Sequence, residues 1–449
     1  MRNTQNNDRI VKFDILGLFD SRNIYMDLSN PYKIFVGENG LGKTTILNII
    51  YYTLSNQFSK LARIKFKEVQ IHYLSGRQFS FKKSELGVFG QEEFLDPRVT
   101  LVIDAINEIL SDDQKLDLIN SLNSNDRSEI RNTYEKYTHI INDSISVPSM
   151  RIRKALSIMY DISLRKYHEF NLLNQQELNI IYFPTYRRIE EDLKNLGIKS
   201  DLSHHGNNRL IQFGMEDVEL AISNILNEIK NATLIGFSSL AGELLNQYAS
   251  NHLSINNSSV IITSEILNIV MERIGENITV PTKLDILNLV ESREIFKNEE
   301  KYKYLLNFIS ELIKLYYGQD HLNNVLKDFS AICSKYLRNK SVVYNESKLT
   351  VNVIDNKARV INLKDLSSGE KQIISIFSRI YLESSNNLIV LFDEPELSLS
   401  LEWQKELLPD ILASDRVEML ISVTHSPFIF QNDLDSIAED MNEIVEFYG

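Results

Sequence analysis

The sequence predicts an α/β fold in which both ends of the chain build one domain with a mixed sheet, and a large, mostly helical segment is inserted between them. Strand-like apolar runs cluster in residues 1–100 and 340–449. A glycine-rich loop follows one of these runs and leads into a helix, which is typical of an α/β domain. In residues 101–177 and 191–339 the apolar side chains recur mostly at helical spacing, so we assign these ranges to the insertion. A strand within residues 178–190 returns to the first domain.

Size and composition define the broad class of protein. A chain of 449 residues is too long for one ordinary core, and its 43% hydrophobic and 24% charged residues are typical of a folded protein. The net charge of −13 argues against constitutive binding to a phosphate backbone. No apolar run is long enough to span a bilayer, and the single cysteine, Cys333, sits in an apolar pattern that predicts burial. We therefore expect a cytoplasmic protein with no membrane partner.

The elements follow in order along the chain. Three strands are predicted over residues 10–16, 23–28 and 32–36, and the loop after the third leads into a helix over residues 44–54. Further strands are expected within residues 61–81, and several helices within 104–173. No sustained heptad pattern runs through those helices, so long coiled-coil arms are not expected.

The second half of the chain repeats this alternation. A short strand over residues 178–183 is closed by Pro184, and a helical block extends from 217 to 337 with a break near 254–259. Three alternating runs, at 341–344, 348–354 and 358–363, predict a β-meander. The remaining residues alternate helix and apolar strand, which places them in the same α/β domain as the beginning of the chain.

Residues 37–44 carry the strongest local signal. They read GENGLGKT and match the phosphate-binding loop pattern G-x-x-x-x-G-K-[ST], hereafter the P-loop. The glycines let backbone N–H groups turn toward a polyphosphate, Lys43 adds a positive charge, and the Thr44 hydroxyl can bind Mg²⁺. A chance match is disfavoured because a strand precedes the loop and a helix follows it. The predicted nucleotide-binding residues here are Gly37, Asn39, Gly40, Gly42, Lys43, Thr44 and Thr45.

An acid-tipped strand is the second signal. Residues 388–392 are five consecutive apolar residues, and Asp393 and Glu394 follow them. Such a run predicts a buried parallel strand whose carboxyl end lies at a ligand site. We expect Asp393 to hold Mg²⁺ together with Thr44, and Glu394 to polarise the attacking water as a catalytic residue. The alternative is a helix-capping acid pair after a core strand.

Two weaker signals flank that strand. Ser367, Ser368 and Gly369 begin an apolar helix and leave donors facing outward for an anion, although the same residues with Glu370 also fit an ordinary helix cap. His425 follows another short apolar strand, where it can donate to a γ-phosphate. A lone histidine there is more often a satisfied strand-end residue, but the other three motifs favour the catalytic interpretation.

Together and in this order, the four motifs resemble those of ABC-type ATPases. The resemblance implies Walker A at residues 37–44, a signature motif at 366–370, Walker B at 388–394 and a switch histidine at His425. It also implies ATP and Mg²⁺ as cofactors and a head-to-head dimer, in which the signature motif of one subunit reaches the γ-phosphate bound to the other. Ser367 and Gly369 would be donors in trans, and Ser398 and Leu399 would lie on the dimer-facing loop.

Finer features are similar to those of the OLD-like and Septu-like ATPases of bacterial anti-phage systems. They are the segments at residues 393–404, 182–190 and 213–219. This resemblance implies a homo-oligomer that senses a phage-derived or nucleic-acid trigger and controls a separate nuclease, of the HNH type as in Septu or the Toprim type as in PARIS. Only 24 residues follow His425 (449 − 425), so we expect no fused Toprim domain.

Some positions depart from the family pattern or stay open. Ser368 stands where most members carry glycine, and Gln212 is a candidate for the Q-loop glutamine. Arg187 and Arg188 follow a strand and could reach phosphate or a partner, or simply be solvated. A basic stretch within residues 60–83 is a solvated face, or else a surface for nucleic acid or a partner protein. The alternative function is an SMC-like ATPase of DNA repair or chromosome maintenance, and a transporter subunit fits least well.

Overall fold

The structure is a computed structural model, and it describes most of the chain. It covers residues 8–38, 40–83, 127–144, 147–160, 178–185, 214–250, 261–275, 278–383 and 386–448, with a few single positions between 86 and 114. The predictions for Asn39, Arg187, Arg188 and Gln212 lie outside these residues.

The beginning of the chain forms an antiparallel sheet. Its strand order is β13-β2-β1-β4-β5. The strands are β1 (Ile10–Leu18), β2 (Arg22–Asp27), β4 (Glu68–Tyr73), β5 (Gln78–Lys82) and β13 (Val445–Phe447). The last of these comes from the end of the given sequence and pairs with β2, so segments from both ends of the sequence share one sheet.

A second, parallel sheet carries the motifs. Its order is β12-β3-β11-β10-β6, and every neighbouring pair is parallel. The strands are β3 (Tyr32–Val36), β6 (Asn179–Phe183), β10 (Leu388–Asp393), β11 (Val417–Thr424) and β12 (Ala438–Asp440). Because parallel strands end at one edge, the P-loop after β3, the acids of β10 and His425 after β11 meet there.

The parallel sheet is buried on both faces. All six residues of β10 are buried, which explains its continuous apolar run. Ile389 and Leu391 pack in the cluster that contains α1 (Lys43–Leu54) and the antiparallel sheet. Val390 and Phe392 pack in the opposite cluster. That cluster includes α10 (Asp320–Tyr336), α11 (Ser368–Tyr381) and α12 (Leu401–Leu412).

The described part of the predicted insertion is helical. Its helices are α3 (Arg127–Ser144), α4 (Ser149–Tyr160), α5 (Met215–Ser250), α6 (Ser264–Ile274), α7 (Val280–Glu291), α8 (Glu294–Lys297), α9 (Glu299–Tyr317) and α10. Helices α6, α7 and α9 share an apolar cluster with the middle of α5. Within the described residues, no helix is long and apolar enough to cross a membrane. Cys333 of α10 is fully buried in the core of the first domain.

The predicted meander is present, but its third strand is short. It consists of β7 (Lys340–Asn345), β8 (Thr350–Asp355) and β9 (Val360–Ile361). The Asp355 carboxylate accepts hydrogen bonds from the backbone N–H groups of Lys357 and Arg359, and Ala358 between them has a φ of 58°. This turn delays the start of β9 beyond the predicted residue 358. The short helices α2 (Phe58–Leu61) and α13 (Met441–Ile444) complete the domain, and the predicted mixed α/β fold class is confirmed.

Candidate active site

A cavity of about 660 Å³ opens at the carboxyl edge of the parallel sheet. Its walls come from the P-loop and the start of α1 on one side, and from the ends of β6 and β10 on the other. Of the predicted site residues, the lining includes Gly40, Gly42, Lys43, Thr44, Thr45, Asp393 and Glu394. The structure thus gathers the P-loop and the Walker B acids around one space.

The P-loop backbone has the conformation that its glycines permit. Gly40 and Gly42 have φ angles of 92° and 86°, in the left-handed region that disfavours side chains. Gly42 is the N-cap residue of α1 and has no side chain that could accept a hydrogen bond. The first N–H groups of the helix therefore stay available at the edge of the cavity. Such a helix start is a binding site for anions, and phosphate fits it.

Lys43 is 6% exposed and turns back over the loop. Its ammonium donates to the carbonyls of Gly37 at 2.9 Å and Glu38 at 3.2 Å, and it contacts the His425 ring, 3.3 Å from Nδ1. Burial lowers the pKa of Lys43, and the charges of Glu394, Asp393 and Glu396 oppose that shift. The oxygens of a bound polyphosphate would compensate this buried cation for part of the hydration that it loses on burial.

Asp393 has one satisfied oxygen and one unsatisfied oxygen. Its Oδ2 accepts from the Thr44 hydroxyl at 2.8 Å and from the Thr185 hydroxyl at 2.7 Å. Its Oδ1 is buried and has no hydrogen-bond partner among the described residues, in a side chain that is 2% exposed. A buried carboxylate oxygen without a partner is costly, and a hard cation would satisfy it.

The cavity lining also contains residues that were not predicted as site residues, among them Thr185 and Tyr182. Thr185, which contacts Asp393, follows β6, and β6 lies beside β10 only in the folded sheet. Tyr182 is 4% exposed, and its hydroxyl has no partner among the described residues. Burial, and then the charge of Asp393, raises the pKa of Tyr182, so this hydroxyl stays protonated. The sequence does show an apolar strand closed by Pro184, but it does not show that this strand pairs with β10.

Glu394 and His425 lie side by side. The Glu394 Oε1 atom is 3.4 Å from His425 Nε2, and the two side chains are 20% and 32% exposed. Glu394 adopts a φ of 53°, and its N–H donates to the Val423 carbonyl at 2.9 Å. This strained turn at the end of β10 aims the carboxylate away from the sheet and toward the histidine.

The signature residues lie apart from this cavity. Ser367 caps α11 in a capping box, and its hydroxyl and N–H both donate to Glu370 Oε2 at 2.9 Å. Lys340 holds the same carboxylate at 2.7 and 2.9 Å. Ser367 and Ser368 are exposed, whereas Gly369 is buried against the Ser398 carbonyl. No signature residue is among those that line the cavity of its own chain.

The loop after Walker B differs in one respect from the expectation for the dimer-facing surface. Ser398 is exposed, with a φ of 64°, so it is free to face another molecule. Leu399 is 8% exposed and packs in the core beneath α11 and α12, because this face of the loop closes the apolar cluster. In this chain Leu399 is therefore a core residue.

An aromatic side chain borders the cavity at its other end. Phe19 lies in the turn between β1 and β2, has a φ of 53° and is 40% exposed. The Arg22 guanidinium carbon lies 5.7 Å from its ring centre, and Arg22 Nη1 donates to the Leu41 carbonyl at 3.1 Å. The ring is thus held next to the P-loop.

A P-loop at a helix start, facing an acid-tipped parallel strand, defines the P-loop ATPases as a class. The family described as the AAA ATPase domain matches residues 17–430, so the chain belongs to that family. The chain is accordingly an ATP-hydrolysing enzyme. No curated protein matches the chain.

Solved structures of Smc heads are distantly similar. A Pyrococcus furiosus Smc head with an extended coiled coil, bound to the C-terminal domain of ScpA, is 14% identical over 94% of this chain and 90% of that one, with a TM-score of 0.35. A Pyrococcus yayanosii Smc head with a coiled coil and joint is 15% identical over 94% and 93%, with a TM-score of 0.31. Similarity at this level adds no conclusion about function.

Proposed function

We propose that the chain binds Mg²⁺ and ATP in the cavity beside the P-loop and hydrolyses ATP at a site completed by the signature motif of a second copy. The observation that carries the proposal is the division of the motifs. The P-loop, Walker B acids and His425 surround one cavity, while Ser367 and Ser368 are exposed elsewhere on the same chain. A second copy could supply them across a two-fold interface, which is self-complementary.

Binding and metal coordination follow from the contacts. The P-loop N–H groups and Lys43 would hold the phosphates, and the Phe19 ring offers a stacking surface for the adenine base. Thr44 and the free oxygen of Asp393 would hold Mg²⁺, with Thr185 fixing the orientation of Asp393. Among the described residues there is no cluster of three or more metal-binding side chains, which fits an ion that takes its other ligands from phosphate and water. When bound, Mg²⁺ neutralises charge on the phosphate oxygens.

Glu394 and His425 would act on the reacting atoms. Glu394 orients and polarises the attacking water, and general-base assistance of this kind contributes about 10²- to 10⁴-fold. His425, beside both Lys43 and Glu394, donates to the γ-phosphate. The Lys43 ammonium, which contacts carbonyl oxygens and His425 in this structure, turns to the phosphate when nucleotide binds.

The donors to the phosphate bound by the second copy are backbone N–H groups and the Ser368 hydroxyl. The Ser367 hydroxyl is already donated to Glu370, so it must rotate before it can reach a phosphate. The N–H groups of Ser368 and Gly369 lie in the first turn of α11, where no intrahelical acceptor exists. We therefore assign the contact in trans to these groups and to the Ser368 hydroxyl, ahead of Ser367.

Mixed dimers test the shared site. Glu394→Gln and Ser368→Arg chains should each be inactive alone, because the first lacks the base and the second blocks the signature surface. A mixed dimer retains one intact site, so equal mixing should restore roughly a quarter of wild-type turnover, since random pairing makes half of the dimers mixed. An inactive mixture of chains that demonstrably exchange subunits would contradict the proposal.

For the biological role, we propose an ATPase subunit of an anti-phage complex in the cytoplasm, assembled as a homo-oligomer that controls a separate HNH or Toprim nuclease. The support is the motif resemblance around residues 182–190, 213–219 and 393–404. Cells that carry the chain together with such a nuclease should lose protection in a plaque assay when Glu394 is changed to Gln. Full protection by this variant would refute the proposal.

An SMC-like role on DNA is the second candidate. The basic stretch of residues 60–83 lies partly on the exposed antiparallel sheet, but Lys65 and Arg77 are paired with Asp20 and Asp8. These pairs weaken the positive potential that DNA binding needs. Stimulation of ATP turnover by DNA alone, abolished at high salt, would favour this role over defence.

A further inference from the structure

Glu396 lies outside the motifs assigned above, yet its carboxylate holds the loop that carries His425. Its Oε1 accepts from the backbone N–H of His425 at 2.8 Å and of Ser426 at 3.2 Å. Its Oε2 accepts from the hydroxyl of Thr424 at 2.8 Å. One carboxylate therefore receives three donors from three consecutive residues, and such charge-assisted bonds are stronger than neutral ones.

The buried side-chain amide of Gln404 holds the same loops together through further hydrogen bonds. Gln404 of α12 is 8% exposed, and its Nε2 donates to the carbonyls of Glu396 at 3.3 Å and Leu399 at 3.0 Å. Its Oε1 accepts from the Ser426 hydroxyl at 2.7 Å. Gln404 thus joins the loop after Walker B to the loop after β11, and fixes the spacing between Glu394 and His425.

This arrangement determines where the His425 ring lies. The histidine follows directly after β11, and its side chain is 32% exposed, so little packing restrains the ring itself. The restraint acts on its backbone through Glu396, and the ring is then placed between Lys43 and Glu394. Loss of the carboxylate would leave the His425 N–H without its acceptor, and the Thr424 hydroxyl with only a long contact of 3.5 Å to the Ser426 carbonyl. The Ser426 N–H would keep the Thr424 hydroxyl oxygen at 3.0 Å, so we expect the loop to relax at His425 itself.

We propose that Glu396 is a positioning residue for ATP hydrolysis, which acts by holding His425 between Lys43 and Glu394. The inference rests on the proposed role of His425 at the γ-phosphate. It explains why an acid lies two residues beyond Glu394, although Glu396 itself is not among the residues that line the cavity.

The test is a double-mutant cycle between Glu396 and His425, read as kcat and as nucleotide dissociation constant. Glu396→Ala should lower kcat by roughly 10-fold or more, while the dissociation constant changes less than about twofold, because an interaction needed only at the transition state is lost. His425→Ala should lower kcat as well. The double variant should be no slower than His425→Ala, since residues that act through one another are not additive.

Two further variants separate positioning from folding. Glu396→Gln keeps an acceptor for the two N–H groups and should restore most of the turnover. Thr424→Val removes the hydroxyl that donates to Glu396 and accepts from the Ser426 N–H, with little change in shape, and its effect should also vanish in the His425→Ala background. The matched control is Glu402→Ala, an exposed acid on α12 that pairs with Arg338 at the surface, which should leave kcat unchanged.

The outcomes distinguish the possible failures. If His425→Ala leaves kcat unchanged, the proposed role of His425 fails, and the inference about Glu396 fails with it. If His425→Ala slows turnover but the Glu396→Ala effect multiplies with it, Glu396 acts independently and only the inference is overturned. If Glu396→Ala does not fold, the Thr424→Val cycle decides, and full additivity there would also overturn the inference.

Discussion

At the scale of single residues, Phe19 gives the simplest test of where the base binds. Its ring borders the cavity and is 40% exposed, and stacking of a base on an aromatic side chain contributes about 1–3 kcal/mol. Phe19→Ala should therefore weaken ATP binding by roughly 10-fold with kcat nearly unchanged, as measured by fluorescent-nucleotide titration. Phe19→Tyr should bind normally.

Tyr25 supplies the control for Phe19. It lies on the neighbouring strand β2 and is 38% exposed, but it does not line the cavity. Tyr25→Ala should leave nucleotide affinity unchanged. Equal losses of affinity in the two alanine variants would show that the antiparallel sheet, and not the ring of Phe19, supports binding.

The residue scale also shows what a sequence can reveal about a site. The P-loop groups are contiguous, and their chemistry requires that spacing, so Gly40, Gly42, Lys43 and Thr44 were predictable one by one. Thr185 was not, because its contact with Asp393 depends on β6 lying beside β10, and the two residues are 208 positions apart in the chain. Local patterns identify residues that act within one loop and miss those brought together by strand pairing.

At the scale of elements, Gly369 controls how closely α11 approaches the loop after Walker B. A Cβ at this position would lie 2.6 Å from the Ser398 carbonyl oxygen and 3.1 Å from the Trp403 ring. Backbone must move to accept it, so Gly369→Ala should lower the free energy of unfolding by about 1–3 kcal/mol. It should also lower turnover, because the first turn of α11 is displaced from its place on the surface.

The control for Gly369 is a helical glycine with open space around it. A Cβ on Gly242 of α5 would meet no atom within 4 Å, so Gly242→Ala should leave stability unchanged or raise it slightly. Thermal unfolding of the two variants measures the difference. Similar stability of Gly369→Ala and Gly242→Ala would contradict the close contact between α11 and the loop.

The cap of α11 predicts a pH dependence of stability. Burial tends to raise the pKa of Glu370, but hydrogen bonds from Lys340 and Ser367 outweigh it and lower that pKa below its ordinary 4.5. A lowered folded pKa means that the contribution is present above about pH 4.5 and is lost as the pH falls toward the folded value. Glu370→Gln should therefore be less stable than wild type at pH 7, and this difference should shrink in acid unfolding curves below pH 4.5.

Elements were predictable where one local signal decided them. The run of β10 and the helix after the P-loop match their predicted bounds within one residue, since burial on both faces and a capping glycine define them. The end of the meander was less predictable. Residues 358–363 alternate like a strand, yet the hydrogen bonds of Asp355 form a turn there and leave only Val360–Ile361 paired.

At the scale of the whole molecule, the fold joins segments that no local pattern relates. The parallel sheet takes β3 from the start of the chain, β6 from the middle and three strands from the end. Composition and periodicity indicated an α/β domain with an insertion, but the order of the strands follows from which apolar faces pack together across the sheet. The contact between the insertion and the meander is likewise not evident from any local sequence pattern.

Arg273 makes that contact and is the last prediction. It lies on α6 of the insertion, its side chain is 4% exposed, and its Nε donates to the Glu346 carbonyl at 3.0 Å in the turn between β7 and β8. Its other nitrogens donate to Gln319 at 2.9 Å and Asn323 at 3.0 Å of the segment that leads into and through α10. Arg273→Met would remove the donor to the Glu346 carbonyl and the buried cation 3.8 Å from the Glu346 carboxylate, while Gln319 and Asn323 keep hydrogen bonds from Thr233 and Tyr344. Removal of one member of a buried ionic network costs up to about 3–5 kcal/mol.

We therefore expect Arg273→Met to lower the melting temperature by several degrees and to separate unfolding of the insertion from that of the ATPase domain, so that calorimetry shows two transitions. Arg338→Met is the control, because the Arg338–Glu402 pair is 75% and 71% exposed and such pairs contribute less than about 1 kcal/mol. A single transition at the wild-type temperature in Arg273→Met would show that apolar packing alone holds the insertion on the meander. In that case the buried arginine would only donate hydrogen bonds to its neighbours and would not hold the insertion in place.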